Sequence, residues 1–349
     1  MSGVTEARPT GPPPQAQRRG RGYGAVLGQA LRATRVQKIG AVYVLAAIII
    51  LFSLWKPALF PTVATLKSVL NENSIAALAA LALVVPLATG VFDLSIGYVM
   101  ALASVLLASM IVEHHMAVAL AVVISLAVSL LVGLTNAFFV VIVGIDSFIA
   151  TLGTGSLLAA FSLLISKDET VTSAAMNTQL GKIATSEVIG LQVPVFVALG
   201  VAILIWFLLE RTVTGRRLYA TGFNEEAARL AGVRTRRLRF AGLTTSAFVA
   251  GIAGLLLTAQ IGAGDPEIGP AYLLDAFAAA FLGATQIRSG RFNAAGTIIA
   301  VLVLGTGTAG LTIVGAEAWA LNMYTGVVLL IALALTKLER GQVRSGKAT

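Results

Sequence analysis

The chain has 349 residues, of which 57% are hydrophobic and 12% are charged, and its mean hydropathy is +0.89. This composition excludes an ordinary soluble domain and is typical of a chain whose solvent is mostly lipid. With no cysteine and only two histidines, the chain has no thiolate or disulfide chemistry and too few imidazoles for a histidine metal cluster or a Ser/His/Asp triad.

The first 38 residues are rich in Pro, Gly, Arg and Gln, so they are too polar to pack into a core and too long to be the basic start of a signal peptide. We expect residues 1–38 to form a disordered, basic cytoplasmic tail. A second and shorter cytoplasmic tail is expected at residues 339–349.

Ten apolar runs lie between these tails, and most reach the roughly 17–25 residues that a helix needs to cross about 30 Å of hydrocarbon. The sequence therefore predicts an all-α fold, a polytopic transmembrane helical bundle of about ten spans over residues 39–338, surrounded by membrane lipid. One run, 272–286, is short for a span, and the sequence leaves open whether it crosses fully. The runs lie near residues 39–55, 74–91, 94–112, 117–143, 147–166, 191–209, 240–261, 272–286, 294–314 and 320–337.

The basic residues give the expected orientation. With both termini cytoplasmic, 21 of the 25 Lys and Arg residues fall on inside segments, and Lys56, Lys67, Lys167 and Lys182 fall outside. The loop at residues 210–240 alone carries eight arginines. This asymmetry follows the positive-inside rule. Topology therefore explains the formal net charge of +9, and no nucleic-acid partner is expected.

Two junctions between inside-facing span ends carry no Lys or Arg: residues 90–97, which contain Asp93, and residues 144–147, which contain Asp146. Irregular backbone at membrane depth must be buried in protein or line an aqueous cavity. Two interpretations stay open for these acids: each caps the next helix, or each belongs to the permeation path or its gate. Asp275 is a third acid among apolar residues, and its alanine-rich run favours either close helix packing or a cavity lining.

The arginine-rich loop contains a polar island at residues 224–232 that predicts a short helix. Asn224 is a suitable N-cap, Glu225 and Glu226 place negative charge in the first turn, and Gly232 can adopt the left-handed conformation after the last turn. Such a short helix is marginal alone, so it is either a docking element for a cytoplasmic partner or a solvated loop helix. The island reads Asn224, Glu225, Glu226, Ala227, Ala228, Arg229, Leu230, Ala231, Gly232.

Four separate blocks of the sequence resemble motifs of one family. That family comprises the integral-membrane permeases of ATP-binding-cassette importers for monosaccharides of the ribose, xylose, arabinose and galactose type, which are related more distantly to branched-chain amino acid permeases. The likeness runs from about residue 74 to 338. The blocks are GVFDLSIGYVMALAS at residues 90–104, FIATLGTG at 148–155, GRRLYATGFNEEAARLAG at 215–232, and residues 273–296.

The sequence departs from the family pattern at three places. Val91 stands where the first block has a second glycine, Ala284 stands where the last block has glycine, and residues 288–293 replace much of its glycine-rich loop. These departures put the cargo and the local backbone geometry in question more than the class of transporter.

The resemblance implies a non-enzymatic transport subunit in the bacterial cytoplasmic membrane. Its partners would be a second permease, either a copy or a paralogue, a cytoplasmic ATP-binding-cassette ATPase, and an extracellular or periplasmic sugar-binding protein. The island at residues 224–232 would be the helix that couples the permease to the ATPase. The chain contains no G-x-x-x-x-G-K-[ST] loop, so ATP would be bound by the partner and no cofactor is expected here.

A neutral sugar needs hydrogen-bonding groups along its path. The sequence offers a set of polar residues in the apolar runs and junctions as candidates for the substrate path or its gate. They are Asp93, Ser95, Asn136, Asp146, Thr151, Thr154 and Asp275.

Two other functions stay open. The first is a permease of the same superfamily with another cargo, such as a branched-chain amino acid, a nucleoside or a signalling furanone. The second is an ion-coupled secondary transporter or channel that works alone, because such proteins mark coupling sites with intramembrane acids. The sequence does not name the sugar or decide between a homodimer and a heterodimer of permeases.

Overall fold

The computed structural model describes residues 40–173, 180–287 and 290–344. The predicted N-terminal tail, residues 1–38, and the last part of the C-terminal tail, residues 345–349, lie outside this range. The final helix continues through residue 344, so the described part of the predicted C-terminal tail is helical.

Helices make up most of the described chain, and each of the ten predicted apolar runs lies on at least one of them. A π-helical segment, Phe138–Val143, continues the fifth helix. The helices are α1 (Gly40–Trp55), α2 (Val63–Glu72), α3 (Ser74–Ala88), α4 (Ile96–Val112), α5 (Val118–Ala137), α6 (Ser147–Ser166), α7 (Lys182–Thr185), α8 (Val193–Arg211), α9 (Val213–Phe223), α10 (Glu225–Leu230), α11 (Thr235–Ile261), α12 (Ile268–Ala284), α13 (Ala294–Ile313) and α14 (Ala318–Arg344).

The lengths of these helices fit a multi-pass membrane protein. Within the described residues, five helices are long and apolar enough to cross a membrane: α5 with its π-helical continuation, α6, α8, α11 and α13. Helices α2 and α3 pass the same test only as a pair, which is bent by 44°. Four shorter apolar helices are α1, α4, α12 and the first part of α14. Helix α12 has 17 residues, about 25 Å along its axis, because it begins upstream of the apolar run at 272–286.

Two short ribbons are the described exceptions to the predicted all-α fold. Strand β1 (Val171–Thr172) pairs antiparallel with β4 (Ala263–Gly264), and β2 (Glu187–Val188) pairs antiparallel with β3 (Leu191–Gln192). Each strand has two residues and lies in a connection between long helices. The pairing provides hydrogen-bond partners for backbone N–H and C=O groups of these connections. A prediction based on helices alone does not include such strands.

Helix α3 lies at the centre of the bundle and is buried along almost its whole length. It packs against α11, α12, α8 and α13. A helix that is apolar on every side belongs in a core. By contrast, α5 and α6 expose many large apolar side chains, such as Leu131, Ile149 and Leu164, to the surroundings. This surface is suited to lipid.

Candidate functional site

The predicted short helix at residues 224–232 is α10, and its N-terminal cap is the one that the sequence indicates. Asn224 is the N-cap, and its side chain accepts a hydrogen bond from the Ala227 N–H at 3.0 Å. Glu225 and Glu226 lie in the first turn and Arg229 in the last, so their charges complement the helix dipole.

The other end of α10 is closed by Gly232. This glycine has a φ of +82°, a left-handed conformation that glycine adopts at little cost. The Val233 N–H then donates to the Ala228 carbonyl at 3.0 Å. Ala228 is the buried residue of this helix, whereas Leu230 is 83% exposed. The result is a short, well-capped helix that presents one leucine and several charges outward.

An ion pair joins α10 to the start of α11. Arg239 Nη1 donates to both carboxylate oxygens of Glu225, at 3.1 and 2.9 Å. The two side chains are partly exposed, so the pair contributes only about 0–1 kcal/mol to folding stability. Its main consequence is geometric, because it fixes the direction of α10 relative to a helix that runs deep into the bundle.

Helix α9, which leads into α10, packs on the loop before α13. The Tyr219 hydroxyl donates to the Phe292 carbonyl at 2.8 Å. The guanidinium of Arg291 lies 5.4 Å from the ring centroids of both Tyr219 and Phe223, a cation–π geometry. Arg291 belongs to residues 288–293, where the sequence departs from the family pattern. This departure therefore places an arginine against the element that carries α10.

A contact between two glycines joins α9 to the end of α3. A Cβ atom added at Gly222 would lie 3.2 Å from the Gly90 nitrogen and 3.0 Å from the Ala88 carbonyl carbon. Gly90 itself has a φ of +80°, so the chain turns sharply there. The two backbones therefore pack against each other at residues 88–90 and 222 with no side chain between them.

The segment that follows Gly90 is irregular backbone without helix or strand, and α6 contacts it. The Phe92 N–H donates to Ser147 Oγ at 3.1 Å, and the Leu94 N–H donates to Thr151 Oγ1 at 3.0 Å. Irregular backbone inside a membrane protein must have its polar groups satisfied by protein or by water. Thr151, a predicted path or gate residue, therefore supports this junction.

Asp93 and Ser95, which are two residues apart, meet Asn136 and Ser246, which are distant in the sequence, in one buried group. We refer to these four residues as the Asp93 cluster. Asp93 Oδ1 accepts from the Ser95 N–H at 3.0 Å and from the Ser95 hydroxyl at 2.6 Å. Asn136 Nδ2 donates to Ser95 Oγ at 2.8 Å. All four residues are fully buried.

The Asp93 cluster is not saturated with hydrogen bonds. The Ser246 hydroxyl faces the Asp93 carboxylate. In the described part of the chain, however, Asp93 Oδ2, Asn136 Oδ1 and Ser246 Oγ make no hydrogen bond of good geometry. Unsatisfied buried polar atoms are costly and are rare outside functional sites. The cluster is therefore a buried polar group beside the junction that follows α3, and three of its polar atoms could accept or donate further hydrogen bonds.

Asp146 and Thr154 are not part of this cluster. Asp146 is exposed and caps α6, since its carboxylate accepts from the Phe148 and Ile149 N–H groups at 3.0 and 3.3 Å. Thr154 is half-buried and donates to the Ala150 carbonyl of its own helix at 2.9 Å. Asp146 thus has the geometry of a helix cap, as one of the two interpretations predicts. At α4 the N-cap residue is Ser95 and not Asp93.

Asp275 lies in a different place, near the start of α3. It is half-buried on α12 and lines a cavity of about 20 Å³ with Asn73, Gly305, Thr308 and Thr325. The 15 residues of α3 separate this cavity from the segment that contains Asp93, about 22 Å along the helix axis. The predicted path or gate residues are thus divided between the two ends of the central helix.

Several residues of this arrangement have no signal in the sequence that sets them apart. Ser147 and Ser246 are ordinary serines in apolar runs, and the contact between Gly222 and Gly90 depends on packing. Leu230 could have been found, because it is an apolar residue inside a charged island. No group of three or more His, Asp or Glu residues that could hold a metal ion occurs among the described residues.

Comparisons with known proteins identify the family of this chain. Residues 65–333 match the family described as the permease component of branched-chain amino acid transport systems. The chain is 30% identical over 302 residues to the ribose import permease protein of Bacillus subtilis, which covers 86% of this chain and 93% of that protein. It is 28% identical over 301 residues to the D-allose transport system permease protein of Escherichia coli, covering 86% and 92%.

A third relative is the fructose import permease protein of Rhizobium meliloti. It is 28% identical over 277 residues, which cover 78% of this chain and 77% of that protein. No solved structure matches the chain.

Proposed function

This chain belongs to the family of permease components of branched-chain amino acid transport systems, and from that premise we propose that it is the membrane permease of an ATP-driven importer for a monosaccharide. The observation that carries the proposal is α10, a capped and exposed helix that an ion pair joins to α11 and that directly follows α9, whose Gly222 packs on the end of α3. Such an element suits a partner that pushes or pulls on the bundle. The relatives that import ribose, D-allose and fructose support a sugar as cargo.

In this proposal both termini and α10 lie in the cytoplasm. The arginines around α10 agree with the positive-inside rule. A cytoplasmic ATPase binds ATP and grips α10, a sugar-binding protein delivers the cargo on the other side, and a second permease, identical or paralogous, completes the path in the bacterial cytoplasmic membrane. The exposed Leu230 is the apolar contact for the ATPase, and the charges of Glu226 and Arg229 set its orientation.

Movement of α10 has two routes into the bundle. One is the ion pair between Glu225 and Arg239, which leads into α11. The other is the contact between Gly222 and Gly90, which leads to the irregular segment at residues 91–95 and the Asp93 cluster. Because α11 also carries Ser246, both routes end at the same group of residues. We propose that the Asp93 cluster, with Thr151 as its support, is the inner gate.

A branched-chain amino acid is the second candidate cargo, because the family description names it. The permease reconstituted in liposomes with its ATPase and binding protein separates the two. ATP-dependent uptake of D-ribose, D-allose or D-fructose supports the proposal, whereas uptake of leucine and of none of these sugars overturns the cargo. Uptake by the permease alone, driven by a proton or sodium gradient, overturns the ATP-driven class.

The role of α10 is tested by Leu230→Ala and Glu226→Lys. Leu230 has few contacts to lose within the chain, so Leu230→Ala should leave the thermal stability unchanged. We expect it to weaken ATPase binding about 10-fold or more, the usual effect of removing an interface hot spot. Glu226→Lys should impair transport and sugar-stimulated ATP hydrolysis while membrane insertion stays normal, since many other charges set the orientation.

The matched control is Leu164→Ala, which removes a leucine that is 73% exposed on α6. It should leave ATPase binding and coupled hydrolysis unchanged. Equal effects of Leu230→Ala and Leu164→Ala on ATPase binding would contradict the docking role of α10.

A further inference from the structure

The break between α2 and α3 follows directly after an exposed acid, Glu72. Helix α2 has 10 residues, which rise about 15 Å, and Glu72 is its last residue. Because the predicted span begins at residue 74 and Lys67 falls outside, Glu72 lies at the outer end of that span. Its side chain is exposed in the described chain. A carboxylate at that position must face water or protein and not hydrocarbon.

A cavity of about 470 Å³ opens beside Glu72, between α2, α13 and the start of α14. This volume lies in the range of small-molecule sites. Half of its lining residues offer hydroxyl or carboxylate oxygens, and the other half are apolar. The polar residues are Thr65, Ser68, Glu72, Thr308 and Thr312.

Thr308 lines this cavity and also the separate small cavity at Asp275. The small cavity, with about 20 Å³ and room for little more than one water molecule, is a narrow point next to Thr308. Gly305 makes the narrow point possible, because a Cβ atom on it would collide with the side chain of Asn73. Asn73 is held in place by its own hydrogen bond, in which Nδ2 donates to the Val69 carbonyl at 2.8 Å.

The charges around the cavity distinguish between solutes. The described lining residues include Glu72 and, at the inner end, Asp275, but no lysine or arginine. The lysine of α2, Lys67, lies against Gly190 of the turn between β2 and β3. An amino acid would bring a carboxylate with no cation to receive it, which is unfavourable in a partly desolvated site. A neutral polyol can donate hydroxyl protons to the carboxylates and exchange hydrogen bonds with the threonines and the serine.

We propose that the cavity between α2, α13 and α14 is the outward-facing binding site for a neutral monosaccharide, closed on its inner side by Asn73 against Gly305. The inference rests on the proposed function and assigns the site at which the sugar first contacts the permease. The lack of a cation among the described lining residues then disfavours solutes that carry a carboxylate, and Asp275 is the next polar group on the path.

The absence of cysteine from the sequence gives a clean test. The variants Ser68→Cys and Thr308→Cys, each in the permease and ATPase complex in liposomes, are treated from outside with a membrane-impermeant thiol reagent. Both should react, and the sugar that the importer transports, among D-ribose, D-allose and D-fructose, should slow the reaction severalfold. Leucine at the same concentration should not. The control variant Leu157→Cys, on the exposed apolar face of α6, should stay unlabelled because its side chain faces lipid.

Two outcomes overturn the site: neither cysteine reacts, or a sugar that is transported gives no protection. Protection by leucine alone overturns the class of ligand. If the wild-type importer transports none of the sugars, both the proposed function and this class of ligand are wrong. If it transports a sugar normally but that sugar does not protect the cysteines, only the proposed binding site is wrong.

A second test, which measures transport kinetics, does not depend on a cysteine variant that folds normally. Glu72→Gln should raise KM for sugar uptake severalfold with little change in kcat, because it weakens binding at the outer site. The matched control is Glu169→Gln, an exposed acid that does not line the cavity, which should leave both constants unchanged. Equal KM values for Glu72→Gln and the wild type would also overturn the site.

Discussion

Replacing Gly222 with alanine inserts a methyl group into the contact between α9 and the end of α3. The new Cβ would lie 3.0 Å from the carbonyl carbon of Ala88 and closer still to its oxygen. Carbon atoms in contact prefer about 3.5–4.0 Å, so the two backbones must separate by roughly 0.5–1 Å. Overpacking of this kind costs about 1–3 kcal/mol. We expect Gly222→Ala to lower the unfolding temperature of the detergent-solubilised permease and to reduce the sugar-stimulated part of ATP hydrolysis.

The control for this variant is Gly200→Ala in α8. A Cβ atom at Gly200 meets no described atom within 4 Å, so alanine there should be neutral or stabilise the helix by up to about 1 kcal/mol. Unfolding followed by intrinsic fluorescence and ATPase activity of the reconstituted complex are measured for both variants. If Gly222→Ala keeps wild-type stability and wild-type coupling, the direct backbone contact does not transmit movement and the reasoning is refuted.

Three further variants probe the cap, the cluster and the outer surface. Asn224→Ala removes the cap of α10, which costs about 1 kcal/mol of helix stability; coupled ATP hydrolysis should fall, while Asn224→Asp should retain it. Asp93→Asn keeps an acceptor for the Ser95 N–H and hydroxyl and should unfold at nearly the wild-type temperature. Asp93→Ala should lower the free energy of unfolding by about 1–3 kcal/mol. Equal decreases for the two variants would mean that the charge itself is needed. The Ser109 hydroxyl and Lys167 lower the pKa of Glu113 from 4.5. The stabilisation by Glu113 is therefore present above that value and lost as the pH falls through the lower folded pKa. Wild type and Glu113→Gln should thus differ in unfolding temperature at neutral pH and converge in acid, and a constant difference would contradict this.

The sequence predicts the elements of this protein well, because their signals are local. Apolar runs of sufficient length mark the helices, and the predicted cap at Asn224 and the predicted turn at Gly232 are confirmed. The family resemblance that four motif blocks indicate is confirmed by the match over residues 65–333. The number of membrane crossings, the position of the termini and the roles of the path residues stay predictions.

By itself, then, the sequence determined that the protein is a helical membrane transport subunit with a capped helix in a basic loop. Only the tertiary structure decided that Asp93 meets Asn136 and Ser246, that Asp146 caps α6 outside this cluster, and that Asp275 lies at the other end of α3. The physical reason is that α3 and its neighbours are apolar on nearly every side. Periodicity therefore cannot show which faces of such helices meet. Close packing between glycines and a few buried hydrogen bonds select those faces, and both depend on residues that are far apart in the chain.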